Sequence, residues 1–338
     1  MATTAVGPQA RGRAMGLITT LGPLGLISGP GLGGVIVDVL GWPWIFFVNA
    51  PVSMLVMSVA LRTLPPSTPL RVPERQWFAE SVLLSAAVAA LLFALSFTAG
   101  GGPAWMLLAL LAVPLLLVWL RMPSSSAVRD LFRTSGEVGP HVALASAATA
   151  IGTVFFMIPF FMQRELGESV SAAGATILLF PAGMAAMGPV GGFLGDWWGP
   201  RRTAIVGAVV FTVGLALLLP LDGSWSPADM AWRLFVAGCG NGLFNAPNVA
   251  MAMTHAPQRL LATTGSSTSL ARTLGFALGP ALATLMWSIS SYEPAGMRAA
   301  ITVATALSAL SVLALARMPA PRAPAAAPGH RAVDDAVT

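Results

Sequence analysis

Long uncharged stretches alternate along the chain with short connectors that carry nearly all of its Arg, Asp and Glu. Ten such stretches lie at about residues 14 to 39, 42 to 61, 79 to 98, 103 to 120, 141 to 162, 170 to 193, 203 to 221, 233 to 254, 266 to 290 and 299 to 316. Each is roughly as long as an α-helix must be to cross a hydrocarbon layer about 30 Å thick. The pattern predicts an all-α polytopic membrane protein with about ten transmembrane helices. The uncharged run from Ser81 to Leu120 is too long for one helix, and Gly100, Gly101, Gly102 and Pro103 divide it into a hairpin. Pro30, Pro51, Pro114, Pro159, Pro181, Pro189, Pro247 and Pro280 fall inside spans, where proline kinks a helix or frees a carbonyl. Beyond Pro319 the chain is rich in Ala and Pro without apolar periodicity, which predicts a disordered tail.

Composition agrees with lipid as the main solvent and the first partner. Of 338 residues, 56% are hydrophobic and 9% charged, against about 25% charged in soluble domains. A net charge of +5 raises the question of nucleic acid, but all 18 basic residues are arginines lying singly or in pairs between apolar runs. They read as a topology signal, with no nucleic-acid partner. With the amino terminus inside, Arg11, Arg13, Arg62, Arg71, Arg75, Arg121, Arg129, Arg133, Arg201, Arg202, Arg259, Arg317, Arg322 and Arg331 fall on the inner side, and Arg272 close to it. Only Arg164, Arg233 and Arg298 fall outside, so both termini are expected in the cytoplasm. The absence of Lys beside abundant Ala, Gly, Pro and Arg suits a GC-rich bacterial genome, hence a bacterial inner membrane. No leader-type cleavage pattern precedes the first stretch, so no removed signal peptide is expected.

Enzymatic chemistry finds little support. His141, His255 and His330 are far apart, Cys239 is the lone cysteine, and no metal-ligand spacing or phosphate-cradling loop occurs. No catalytic set, metal or cofactor is expected. Among the acidic residues, Asp38 lies near the outer end of its span, and Glu80 and Glu137 near inner ends.

Three patterns carry a mechanism. In the first span Gly16, Gly25, Gly29, Pro30, Gly33 and Gly34 put Gly25, Gly29 and Gly33 on one side-chain-free face that a second helix can approach closely. After the sixth span, Gly192-Phe193-Leu194-Gly195-Asp196-Trp197-Trp198-Gly199-Pro200-Arg201-Arg202 forms a glycine turn with one carboxylate close to two guanidiniums. Asp196 can accept charge-assisted hydrogen bonds from neighbouring helices or cap a helix start, and Arg201 and Arg202 can bind carboxylates or lipid phosphates, so breaking the network would bias a two-state equilibrium. Finally, Leu24-Gly25 followed by Gly29-Pro30 reappears as Leu274-Gly275 followed by Gly279-Pro280 in the ninth span, suggesting two related bundles.

The first span resembles the antiporter motif, and the Gly192–Arg202 loop the conserved cytoplasmic loop, of the major facilitator superfamily. Together with Gly41-Trp42-Pro43-Trp44 and the following Ile45 to Pro51, they make the chain similar to the fourteen-helix drug:proton antiporters of EmrB/QacA type. That resemblance implies a partial major facilitator fold lacking the first four helices, through a wrong start or a truncated gene. Residues 1–63 would be the last two helices of an amino-terminal bundle and 64–78 a cytoplasmic linker. An inserted hairpin would occupy 79–120, a second linker 121–138, the carboxy-terminal six-helix bundle 139–317 and the tail 318–338. The implied activity is proton-coupled efflux of hydrophobic or amphipathic small molecules by alternating access. The alternative is a non-transporting remnant. Pro200 departs from the loop pattern just before the Arg pair.

Cargo-path candidates are less sharply marked. Asn241, Asn245 and Asn248 share one face of the eighth span, where they either line a cavity or bond between helices. Phe156 and Phe160, with Phe155, Met157 and Phe161, form either an adaptable binding surface or ordinary packing. Arg272 enters the ninth span and either snorkels or joins the loop network. Nothing in the sequence sets an oligomeric state.

Overall fold

A computed structural model describes residues 39–63, 75–134 and 137–318, with Gly33, Ile36 and Val37 ahead of them. Asp38 and, apart from Gly33, the glycine motif of the first span lie outside the described residues. The helices are α1 (Trp44–Thr63), α2 (Arg75–Gly101), α3 (Ala109–Arg121), α4 (Ser126–Thr134), α5 (Val138–Arg164), α6 (Val170–Ile177), α7 (Leu179–Trp198), α8 (Pro200–Ala216), α9 (Pro227–His255), α10 (Leu261–Ile289) and α11 (Pro294–Ala316). Nine of the ten sequence-marked stretches are thus helical, with α6 and α7 sharing one stretch.

Among the described residues, seven spans are long and apolar enough to cross a membrane on that ground alone. The two other predicted spans differ for physical reasons. Helix α8 has only 17 residues, and α9 carries Asn241, Asn245 and Asn248 among glycines. Helix α9 can be polar because it packs against both α7 and α8 and its Asn248 amide bonds to α5.

From α5 onward the helices form one six-span bundle with internal symmetry. Helix α5 packs on α10 and α11, α9 packs on α7 and α8, and α8 packs on α11. Exchanging α5 with α9, α7 with α10 and α8 with α11 leaves this pattern unchanged. Two three-span units follow, and an odd number of spans means that the second runs inverted relative to the first.

Glycine makes the tightest seams possible. A Cβ on Gly238 or Gly240 of α9 would collide with the backbone of Phe180 in α7 or Phe211 in α8, and one on Gly207 with Phe244. Across the symmetry-related seam, Gly275 faces the backbone of Ala145, and Gly279 that of Gly152 and Thr153. Pro280 supplies no N–H to the Phe276 carbonyl, and Gly152 lies against that carbonyl. The Thr153 hydroxyl lies 3.2 Å from the Gly279 carbonyl, within reach to donate across the seam. Without a hydrophobic force between helices in lipid, close backbone approach and such bonds hold the bundle.

Arginines lock α8 to α11 at both ends. Arg201, in the first turn of α8, donates to the Leu315 and Ala316 carbonyls at the end of α11, at 3.2 and 2.9 Å. Arg298, early in α11, donates to the Leu221 carbonyl just beyond α8 at 2.8 Å. Each guanidinium satisfies orphan carbonyls and meets the negative end of a helix dipole. Midway, the Thr212 and Ser308 hydroxyls lie 2.8 Å apart.

The hairpin turns at Gly102, whose φ of 98° suits glycine, and α2 lies against α3 and α10. Short α4 buries Leu131 completely, while Asp130 pairs with Arg259 at 3.6 Å. At the opposite end, Ser226 and Asp229 form a capping box on α9. Arg233 there stacks over Trp225 and Trp232, 4.0 and 4.5 Å from their ring centres.

Candidate functional site

Helix α10 has a buried face and an exposed one. Thr264, Thr268, Gly275 and Gly279 are buried, whereas Ser266, Ser269, Leu270, Thr273 and Phe276 are exposed. Ala262, Gly265, Ser266, Ser269, Leu270 and Thr273 line an open depression of about 590 Å³. One turn further on, the Phe276 ring stands edge-on to Phe155 of α5 at 6.2 Å. From Phe155 an aromatic chain continues to Phe180 of α7 at 5.3 Å and Phe211 of α8 at 6.1 Å. Phe155 also borders a largely apolar groove of about 420 Å³, with Pro159, Gln163 and Ile177 on one side and Gly33, Val37 and Ile45 on the other. The hydroxyl-lined face of α10 thereby passes, through Phe276, to an apolar groove.

Other cargo-path candidates are placed as follows. Asn248 is fully buried and its amide donates to the Pro140 carbonyl of α5 at 3.1 Å, an interhelical bond. Asn241 is buried, and Asn245 is half-buried with a side-chain oxygen that has no hydrogen-bond partner. Phe156 and Phe160 lie 4.9 Å apart. Phe160 touches Trp287 at 5.5 Å, and Arg164 sits over that indole at 5.4 Å. These two Phe rings therefore belong to an aromatic and cationic cluster at one end of the seam between α5 and α10. Arg272 is exposed on α10.

The α7–α8 junction holds Asp196, Gly199, Pro200, Arg201 and Arg202. Asp196 and Arg202 are exposed, and among the described residues Asp196 forms no ion pair with Arg201 or Arg202. Arg201 is instead committed to the end of α11, a partner no sequence motif discloses because it is backbone. Gly199 has φ 92° and ψ 143°, serving both as the end of α7 and the start of α8. That conformation is essentially reserved for glycine. Pro200 occupies the first turn of α8, where its missing N–H costs nothing. Gly192 faces open space. The described part of the glycine motif, Gly33, also faces open space at the groove.

An inverted pair of three-helix units around polar and apolar grooves describes a bundle of the secondary-transporter type. Residues 1–125 and 141–336 match the family model of the Major Facilitator Superfamily, and the chain belongs to that superfamily. It is therefore a multi-pass membrane protein of a transporter family, not of an enzyme family. It is 27% identical over 286 residues to the uncharacterized transporter YebQ of Escherichia coli, covering 81% of the chain and 62% of that protein. The multidrug resistance protein Stp of Mycobacterium tuberculosis is 31% identical over 310 residues, 86% of the chain and 56% of Stp. The riboflavin transporter RibZ of Clostridioides difficile is 25% identical over 274 residues, 80% of the chain and 60% of RibZ. The chain thus spans between 56 and 62% of the length of these relatives.

Proposed function

We propose that the chain is the carboxy-terminal part of a fourteen-helix, proton-coupled exporter of hydrophobic or amphipathic small molecules, working by alternating access in a bacterial inner membrane. The observation that carries this reading is the face of α10 and α5, which grades from Ser266, Ser269 and Thr273 to Phe276, Phe155 and the 420 Å³ groove. A surface that offers hydroxyls at one end and aromatic rings at the other suits a molecule with a polar and an apolar part. Similarity to Stp supports a drug-like cargo. Protons are the co-substrate, lipid the surrounding partner, and no cofactor takes part.

The arginine asymmetry supports a cytoplasmic position for both termini. Cysteines introduced at Gly101 or Trp225 should react with an impermeant reagent added outside, and cysteines at Arg75 or Arg201 should not. Labelling at position 75 but not 101 would reverse the orientation.

Asp196 serves conformational switching and not cargo binding. It lies exposed at the end of α7, far along the helix from the aromatic chain at Phe180. In a protein that also carries the amino-terminal helices, Asp196→Asn is expected to lower the efflux rate roughly tenfold, the size of a typical coupling energy. Cargo affinity should stay within about twofold of wild type. Wild-type efflux from that variant would reduce the loop to a topology signal.

A further inference from the structure

Glu137, which the sequence places among charges at the inner end of a span, is the one acidic side chain among the described residues that is fully shielded from solvent. Neither of its carboxylate oxygens has a hydrogen-bond partner. His141, one turn into α5, brings Nδ1 to 3.6 Å from Glu137 Oε2. The same Nδ1 lies 2.8 Å from the Glu137 backbone carbonyl, and Nε2 lies 2.8 Å from the Ser267 hydroxyl of α10. Phe132 of α4 covers the imidazole edge-on at 5.0 Å.

Hydrogen counting gives this network two complete arrangements. A carbonyl only accepts, so Nδ1 carries a hydrogen. Ser267 has a single hydroxyl hydrogen and two neighbours for it, Nε2 and the Thr264 carbonyl at 3.1 Å. If the hydroxyl donates to Nε2, the imidazole is neutral. If it donates to Thr264, Nε2 must itself donate and the ring is an imidazolium. One hydroxyl rotation therefore accompanies a change of one proton, and it occurs at the contact between α5 and α10.

Other charges on the surrounding elements are engaged elsewhere or exposed. On α4, Arg129 binds the Leu120 and Met122 carbonyls, Asp130 pairs with Arg259 ahead of α10, and Arg133 is exposed. Arg272 of α10 and Arg317 after α11 are exposed. On α9, His255 bonds the Met251 carbonyl, and Asn248 bonds Pro140. None of them forms an ion pair or hydrogen bond with Glu137.

We infer that Glu137 and His141 form a proton-binding site at the α4 end of the seam between α5 and α10, read out through Ser267. A buried carboxylate with no donor is held more cheaply as the neutral acid. Burial accordingly pushes the Glu137 carboxyl, just ahead of the span, from 4.5 up to about 7. Loss of its proton leaves a buried negative charge. That charge is relieved either by an imidazolium, with Ser267 turned to Thr264, or by opening the seam to water. This goes beyond the export reading, because the site titrates whether or not cargo moves.

The test uses the purified 338-residue chain in lipid nanodiscs. Infrared difference spectra across a pH titration should show a protonated-carboxyl carbonyl band that is lost with a midpoint of about 7. Glu137→Gln should abolish it, and Glu137→Asp should retain a titrating band. Amide exchange, corrected for its intrinsic pH dependence, should speed up above the midpoint at residues 137–145 and 262–270 in wild type only. Between 4.5 and about 7 the folded state holds a proton that the unfolded state has released. Stability relative to Glu137→Gln should therefore fall as pH rises through that window and level off above it. No titrating band, or one that survives in Glu137→Gln, would overturn the inference. So would an exchange contrast that Glu137→Gln leaves intact.

Discussion

Gly238→Ala is expected to cost the protein its fold, while Gly188→Ala, in the facing helix, leaves it intact. Both residues are helical glycines, and on propensity alone each substitution would gain about 0.5 to 1 kcal/mol. Their surroundings decide the outcome. Open space surrounds a Cβ at Gly188, whereas at Gly238 it would run into the Phe180 carbonyl, with the α-carbon of Phe180 also about 3.0 Å away. Backbone of a packed helix cannot swing aside as a side chain can, so α7 and α9 must separate, at about 3 kcal/mol or more. In lipid, where such contacts are the main force between helices, little compensates. Size-exclusion profiles and apparent thermal midpoints of the detergent-solubilised variants would check this. Wild-type behaviour of Gly238→Ala would mean that the seam is looser than described.

The seam illustrates what the sequence discloses. Uncharged runs marked the helices well, because excluding charge from lipid leaves a signal along every span. They marked α9 too, although its glycines and amides make it too polar to be recognised by hydropathy alone. Gly275 and Gly279 stood out as a repeat of the first span's pattern. Their opposite surface, Ala145, Gly152 and Thr153, did not, because residues some 125 positions away carry no local mark of the contact.

Charged residues were harder to place. The loop offers Asp196 as an acceptor to neighbouring helices and Arg201 as a donor, and Arg201 bonds to carbonyls at the end of α11 while Asp196 is exposed. Backbone acceptors exist at every helix end, so only the fold determines which one an arginine finds. Glu137 read as a charge at the membrane surface. Its burial depends on α4 turning the chain back, so that Phe132 covers His141 and α10 supplies Ser267. The pairing of α5 with α10, from which that site arises, is a product of the inverted repeat and is not written in either segment.

Two bundles must face one another for alternating access, and the described residues complete one of them from α5 to α11. The 338-residue chain by itself is therefore expected to insert in the membrane but not to move cargo against protons. The relatives it matches are longer, and on the proposed reading the half of the cavity opposite α5 and α10 is supplied by a second bundle. The most direct measurement is cargo-dependent proton movement, followed with a pH-sensitive dye in proteoliposomes. It would compare the chain alone with the same chain preceded by the amino-terminal part of a relative such as Stp. Flux that appears only in the extended protein is the expected result. A robust cargo-dependent flux from the 338-residue chain alone would contradict it, because one bundle would then suffice for both coupling and access.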